Sequence, residues 1–396
     1  VRRFLVVLAA AIGATSAAAA GEHGVVRFAT FNASLNRAAP GELLRDLEGG
    51  RDPQIRAVAE IIQRVRPDVL LINEFDYDPT GEAPRAFLRD FLGVAQGGAP
   101  AIDFPQVYSA PVNTGVPSGF DLNHDGRSDG PDDALGFGKF PGQYGMLIYS
   151  RYPLLAQQAR TFRKLLWREM PGALIPPGWY PPEALAVLPL SSKSHWDVPV
   201  RIAGRTVHLL ASHPTPPSFD GPEDRNGRRN HDEIRFWADY LSPGADRYIR
   251  DDAGRRGGLR SGSFVLLGDL NADPVDGESF DHAVQQLLHQ PRVQATAPRS
   301  VGAANASARQ QGANLRQHGD PFTDTGDFED AGSGPGNLRT DYVLPSRDLK
   351  VCATGVFWPD RDHPLYRLVG EGGAVSSDHR LVWVDVAVRG PCAPHD

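Results

Sequence analysis

The sequence predicts an α/β (α+β) fold built on a pair of mixed β-sheets with covering helices. Three features carry that expectation. Short apolar runs of strand length recur along the chain. Amphipathic stretches of helical period lie between them. A hairpin signal at 198–213 places antiparallel pairing beside crossover connections, which argues against a purely parallel sheet.

The elements follow in chain order. Residues 25–31 (VVRFATF) read as a first strand. In 52–66, Asp52 can cap a helix and Pro53 suits its first position, while Ile55, Val58, Ile61, Ile62 and Val65 form one apolar stripe. DVLLINE (68–74) and GMLIYS (145–150) are a second and a third strand, and the 198–213 hairpin turns near Gly204. Helices are expected over 230–241 and 278–289, with late strands at 339–346 and 379–388. Between 263 and 274 stands SFVLLGDLNADP, a buried strand that ends in Asp269 and Asn271. Side chains alternate faces along a strand, so these two residues point the same way at its mouth. Three long irregular stretches, near 76–143, 160–197 and 294–338, read as insertions on the working face. No repeat or low-complexity linker divides the chain, so a single domain is expected over 25–390.

Composition narrows the class. The chain has 396 residues, 41% of them hydrophobic and 22% charged, as in globular domains. Residues 1–20 read as a signal peptide: Arg2 and Arg3, an apolar run from Phe4 to about Ala14, and small residues suited to cleavage near Ala20. That run is too short to span a bilayer, and no later stretch could, so a secreted or periplasmic protein is expected, working as a monomer. In an oxidising compartment Cys352 and Cys392 are expected to pair. The formal charge is −7, and no basic stripe of the kind that holds duplex nucleic acid is visible.

Other strands also end in polar residues. Asn32 closes the first, Glu74 the second and His213 the hairpin; Asp341 opens one late strand, and Asp378 with His379 introduces the last. Hard oxygen ligands suit Mg²⁺, Mn²⁺ or Ca²⁺, and such an ion can share the oxygens of a bound phosphate. Two histidines can move protons or donate to a charged oxygen.

In order, the stretches FATFNASL, LLINEFD, GQYGMLIYSRYPL, LLASHPTPP, LLGDLNADP, TDYVLPS and SSDHRLVWVDV resemble the motifs of the endonuclease/exonuclease/phosphatase superfamily. The resemblance spans about 25 to 388 and implies a four-layered sandwich with two packed mixed sheets and a phosphoester-hydrolysing activity. It implies Glu74 as the principal metal ligand, for Mg²⁺ or Mn²⁺, with Asn32 and Asp378 completing or supporting the site. Asp269 would orient or deprotonate the attacking water, and Asn271 would hold a phosphate oxygen. His379 would contact the scissile phosphate with Asp341 fixing its tautomer, and His213 would assist proton transfer. Tyr144 falls where abasic-site enzymes carry a tyrosine and deoxyribonuclease-like ones a carboxylate, which leaves the proton donor to the leaving group open.

Two further signals stand outside those motifs. DLNHDGRSDGPDD (121–133) places Asp121, Asn123, Asp125, Gly126, Asp129 and Asp132 at the offsets of a calcium loop; it has Ser128 where an apolar residue is usual and ends in Asp. Lys193, His195 and Asp197 before a strand, and Arg225, Arg228 and Arg229 after His213, are candidates to contact substrate phosphate. The expected partner is a phosphorylated substrate of open class. An extracellular nuclease and a non-catalytic binding module that keeps the fold are the alternatives.

Overall fold

The computed structural model describes residues 24–373 and 375–395; the expected leader at 1–20 lies outside them. The described strands are β1 (Val25–Asn32), β2 (Val69–Asn73), β3 (Gln106–Tyr108), β4 (Met146–Ser150), β5 (Arg160–Thr161), β6 (His195–Ile202), β7 (Arg205–Ser212), β8 (Ser263–Asp269), β9 (Gly326–Asp327), β10 (Asn337–Leu338), β11 (Asp341–Pro345), β12 (Lys350–Val356) and β13 (Val382–Ala387). One sheet has the order β12-β13-β1-β2-β4-β3 and the other β11-β8-β7-β6-β5, with β9 and β10 forming a small separate pair. Both large sheets are mixed: β1–β2 and β7–β8 run parallel, and their other neighbours antiparallel.

Alternation along the strands builds the layers. Val26 and Phe28 of β1, Val69 and Leu71 of β2 and Met146 and Ile148 of β4 pack against Trp196, Val198, Leu209, Val265 and Leu267 of the second sheet. Their sequence neighbours Ala29, Phe31, Leu70 and Ile72 face outward onto the helix Pro53–Val65, whose Ile55, Val58, Ile61 and Ile62 are buried there. Leu210, Phe264, Leu266 and Tyr342 turn the other way, onto Ile234, Phe236 and Trp237 of the helix Arg225–Tyr240. The result is helix, sheet, sheet, helix. Burying each such aliphatic side chain contributes roughly 1.5–3 kcal/mol, so the inter-sheet layer is a large part of what fixes the sheets' relative position.

Local signals behave as expected in several places. Asp52 Oδ1 accepts from the Ile55 amide at 2.8 Å and caps its helix. The β6–β7 hairpin turns on Ala203 and Gly204, both at positive φ (47° and 80°), as two-residue hairpins require. Two expectations are corrected. The helix expected over 278–289 is broken: Asp281 and His282 take positive φ, leaving a short 3₁₀ turn at Phe280–His282 and one α-turn at Gln285–Leu288. The stretch 294–338 is not wholly irregular, because Val301–Gln310 forms a helix capped by Ser300, whose side chain accepts from the Gly302 amide.

Candidate active site

Strand direction explains why polar residues follow some strands and precede others. β1 and β2 leave the sheet at the rim where antiparallel β13 enters it, and β7 and β8 leave where antiparallel β11 enters. Asn32, Glu74, His213 and Asp269 at the exits therefore meet Asp341, Asp378 and His379 at the entrances. The register sets Asp341 directly opposite Asp269. Asn73 joins the two halves: its Oδ1 accepts from the Asp269 amide at 3.2 Å in one sheet and from Thr30 Oγ1 at 3.3 Å in the other.

The core of the site is a chain of carboxylates and imidazoles. Asp341 Oδ2 lies 2.9 Å from His379 Nδ1 and also accepts from Thr325 Oγ1 at 2.8 Å and Thr340 Oγ1 at 3.1 Å. The other nitrogen of His379 is 3.6 Å from Asp269 Oδ2, and His213 Nε2 is 3.4 Å from that same oxygen. Asp269 also accepts from Asn32 Nδ2 at 3.0 Å and from the Asn271 amide at 2.9 Å. Burial opposes charge on Asp269, but His379, His213 and Asn32 outweigh it and hold the carboxyl below its ordinary range. Burial likewise opposes charge on His379, and Asp341 and Asp269 outweigh it, raising the imidazolium well above the usual histidine range. Burial dominates at Asp341 and raises it. His213 is pushed down to about 4 by burial, with Lys193 adding to the effect, so it is neutral near pH 7; its Nδ1 has no partner among the described residues.

Glu74 stands at the other end of the site, at φ 61°, with Tyr144 at φ 57° and Asn271 at φ 51° nearby. Left-handed backbone is costly for Glu and Tyr, and such strain gathers at functional sites. Glu74 Oε2 accepts from Asn36 Nδ2 at 2.8 Å, and burial followed by repulsion from Asp378 raises its carboxyl. Neither Glu74 nor Asp378 has an ion pair within 4.0 Å among the described residues, although the same structure pairs half-buried Asp46, exposed Glu82 and buried Asp68 and Asp251 with arginine. Two carboxylates that repel and lack a cation suit a divalent ion. Asn32 supports that end rather than standing free, since its Oδ1 accepts from the Ser34 amide at 3.2 Å. Asp269, Asp341 and His379 also bring ligand atoms within 4.8 Å of one another. Their hydrogen bonds to each other would be lost to an ion there, so the Glu74–Asp378 end is the better metal position.

The remaining sequence candidates divide. Asn271 donates from Nδ2 to the Pro214 carbonyl at 3.1 Å and lines the same cavity as Glu74, Tyr144, Lys193 and His379, a space of about 550 Å³. A cavity of about 610 Å³ at the opposite ends of β7 and β8, around Arg205 and Asp348, contains none of the strand-end residues. Tyr144 is half-buried, and burial raises its hydroxyl pKa, so it keeps its proton. Arg225 lines the cavity, pairs with Glu223 and lies 5.8 Å over the Trp179 ring. Arg229 reaches it too, but its guanidinium donates to the carbonyls of Leu190, Leu135 and Pro189 and so ties loops together. Arg228 donates to the Glu223 carbonyl and lies over Phe280.

His195 is corrected outright. It is fully buried beneath the helix, between Ser191 Oγ at 2.6 Å and the Glu233 carbonyl at 2.8 Å, and touches no substrate space. Asp197, on the same face of β6, accepts from Tyr240 and pairs with His208. The calcium-type loop is also corrected. Asp121 accepts from the amides of His124 and Gly126, Asn123 from Asp125, and Asp125 from Arg127, while Asp129 pairs with Arg127. Asp132 lies apart and lines the active-site cavity. These oxygens serve turns and a surface ion pair, and among the described residues no three of the loop's carboxylates bring ligand atoms within 4.8 Å of one another.

Sequence reasoning missed three supports. Asn36 holds Glu74; Asp76 fixes the Tyr144 and Arg37 amides at 3.1 and 2.9 Å; and Glu233 holds Ser192 and Thr215. Asn36 directly follows the FATFNASL stretch and Asp76 closes LLINEFD, so both could have been found as polar residues near a strand end. Glu233 carried no such signal.

Two mixed sheets that deliver a carboxylate–histidine chain and a separate carboxylate pair to one rim define a metal-dependent phosphoesterase. The model of the Endonuclease/Exonuclease/phosphatase family matches residues 29–379, and the chain belongs to that family. It is a hydrolase acting on phosphoester bonds. Among solved structures, an endonuclease/exonuclease/phosphatase from Beutenbergia cavernae DSM 12333 is similar at 18% identity over 91% of this chain and 71% of that one, with a TM-score of 0.50. A mannosyl-6-phosphatase from Bacteroides thetaiotaomicron VPI-5482 is similar at 12% identity over 91% of this chain and 99% of that one, with a TM-score of 0.43. Among curated proteins, none matches the sequence.

Proposed function

We propose that the protein is an exported hydrolase that cleaves the phosphoester of a small phosphorylated compound by in-line attack of water, with Mg²⁺ or Mn²⁺ held by Glu74 and Asp378. The observation that carries this reading is Asp269, ionised and in reach of both His213 and His379, on the wall of a cavity of about 550 Å³.

Asp269 takes a proton from water as its oxygen bonds to phosphorus and the ester P–O bond breaks. Neutral His213, on the same oxygen, can relay that proton. His379, charged, presents its Nε2–H to a non-bridging oxygen, while its Nδ1–H is donated to Asp341, which orients the ring and supports its charge. Tyr144, still protonated, is placed to donate to the departing alcohol. A bound divalent ion neutralises charge developing on the phosphoryl oxygens. The net charge of −7 gives a polyanion no general attraction, which sets the nuclease reading second. The test is hydrolysis of p-nitrophenyl phosphate, bis-p-nitrophenyl phosphate, DNA, RNA and lipid phosphoesters with each metal. Activity on none of them would remove the reading and favour a binding module; activity confined to nucleic acid would replace it with a nuclease.

A further inference from the structure

Lys193 is 6% exposed, yet among the described residues it has no ion pair within 4.0 Å. Its ammonium makes one recorded contact, to the Pro214 carbonyl at 3.3 Å. The buried Glu233 carboxylate on the adjacent helix is already occupied: Oε1 accepts from the Ser192 amide at 2.6 Å and Ser192 Oγ at 2.9 Å, and Oε2 from the Thr215 amide at 2.8 Å. An ammonium carries three donors, and removing it from water without a partner is costly. Lys193 faces the cavity shared by Glu74, His213, Asp269 and His379. Burial lowers the pKa of Lys193, against the pull of the Glu233, Glu74 and Asp269 carboxylates; folding thus sets an amine beside the reacting position with donors still to satisfy, and an anion in the cavity both satisfies them and favours its charged form.

We propose that the Lys193 ammonium binds a non-bridging oxygen of the substrate phosphate and thereby selects phosphomonoesters over phosphodiesters. This rests on the phosphoesterase reading above. A monoester dianion presents an additional charged oxygen to the ammonium. A diester carries a second ester arm and one charge fewer, and leaves the buried donors poorly matched. Sites built to hydrogen-bond a group discriminate strongly against analogues that lack it. The cavity also offers Phe137, Tyr180, Leu188 and Phe219 as an apolar wall for the alcohol portion, which fits a compact ester whose body stacks on an aromatic surface.

The test compares wild type with Lys193→Met and Lys193→Gln on p-nitrophenyl phosphate and its bis-ester, with inorganic phosphate as inhibitor and as a calorimetric ligand. For both variants, kcat/KM for the monoester should fall by about 100-fold or more and that for the diester by less than about 10-fold. The inhibition constant of phosphate should rise by about 30-fold or more. Tm should stay level or rise, because a buried amine short of hydrogen-bond partners has been removed. Equal losses on the two esters, unchanged phosphate binding, or a large fall in Tm for both variants would each overturn the assignment and make Lys193 a structural residue. A wild type inactive on every ester would instead overturn the phosphoesterase reading, and phosphate calorimetry would still decide whether Lys193 binds the anion.

Discussion

Asp341 Oδ2 and His379 Nδ1 stand 2.9 Å apart, and the opposite nitrogen of the same ring is 3.6 Å from Asp269. One imidazole thus lies between two buried carboxylates delivered by paired strands, β11 and β8. The pair orients a charged ring: with Nδ1–H donated to Asp341, Nε2–H is turned toward the reacting groups.

His379→Ala should therefore lower kcat by about 10²–10³-fold, the usual range for a lost donor to developing charge. Asp341→Asn should lose much of the same factor, because a neutral amide no longer supports the charge on the imidazolium. The double variant should be little worse than His379→Ala alone, since the two act as a unit. Steady-state kinetics with urea melts check this. Additive losses, or near-wild-type kcat in His379→Ala, would return both residues to architecture.

Glu74 should show its role through metal dependence. EDTA should abolish activity, and added Mg²⁺ or Mn²⁺ should restore it. Glu74→Gln should raise the metal concentration for half-maximal rate by more than about 10-fold. The fold should survive, because Gln can still accept from Asn36 and the substitution removes the repulsion with Asp378. Metal titrations beside thermal melts separate the two effects; full activity in chelator would reject the metal position.

The rim residues were legible because strands impose a period of two and because the Asp269, Asp341 and His379 stretches are short and local. What lay around them was not. His195 looked like a loop residue facing substrate, but β6 begins at His195 itself, and alternation then sends His195 and Asp197 to the helix-covered face and Trp196 between the sheets. A strand start shifted by a few residues is enough to reverse such an assignment. The helix Val301–Gln310 was hidden by its composition: its buried residues are Gly302, Ala303, Ala306 and Ser307, which give almost no hydrophobic contrast. Gly302 is required there by contact, because a Cβ would meet the Trp358 carbonyl oxygen at 2.0 Å. The acidic loop at 121–133 matched a spacing without matching its purpose. Asp and Asn at alternate positions serve Asx turns as readily as ions.

His195 yields a stability prediction with a definite sign. As a neutral ring it donates from Nε2 to the Glu233 carbonyl and accepts at Nδ1 from Ser191. Burial lowers its pKa to about 3 in the folded protein. The unfolded value is near 6.5, so its contribution is complete above pH 6.5 and is lost as pH falls from there toward 3. By pH 5 the loss should be on the order of 2 kcal/mol. His195→Gln, which keeps a donor for the Glu233 carbonyl without a titrating ring, should flatten the curve between pH 7.5 and 5 by about that amount. Urea melts across that range decide it, and parallel curves for the two proteins would show that the ring is not buried as a neutral donor–acceptor.

Cys352 and Cys392 are bonded, with their Cα atoms 5.4 Å apart and a sequence separation of 40. Cys352 is the extra residue where the β12–β13 register shifts between Val351 and Ala353, and the bulge accompanies its link to the tail after β13. The bond lies near the paired residues Val351 and Val386, toward the strand ends away from the Asp378–His379 entrance. It should therefore matter to stability and not to chemistry. Closing a loop of this length contributes about 4 kcal/mol in the chain-entropy picture, and less where the reduced unfolded state keeps structure. Cys352→Ser with Cys392→Ser should lower Tm by several degrees while kcat on the preferred ester stays within about 2-fold of wild type. Thiol titration of the unfolded, non-reduced protein should find no free cysteine. Two titratable thiols would refute the bond, and a large fall in kcat at a temperature where the variant is fully folded would mean that the tail reaches the active rim.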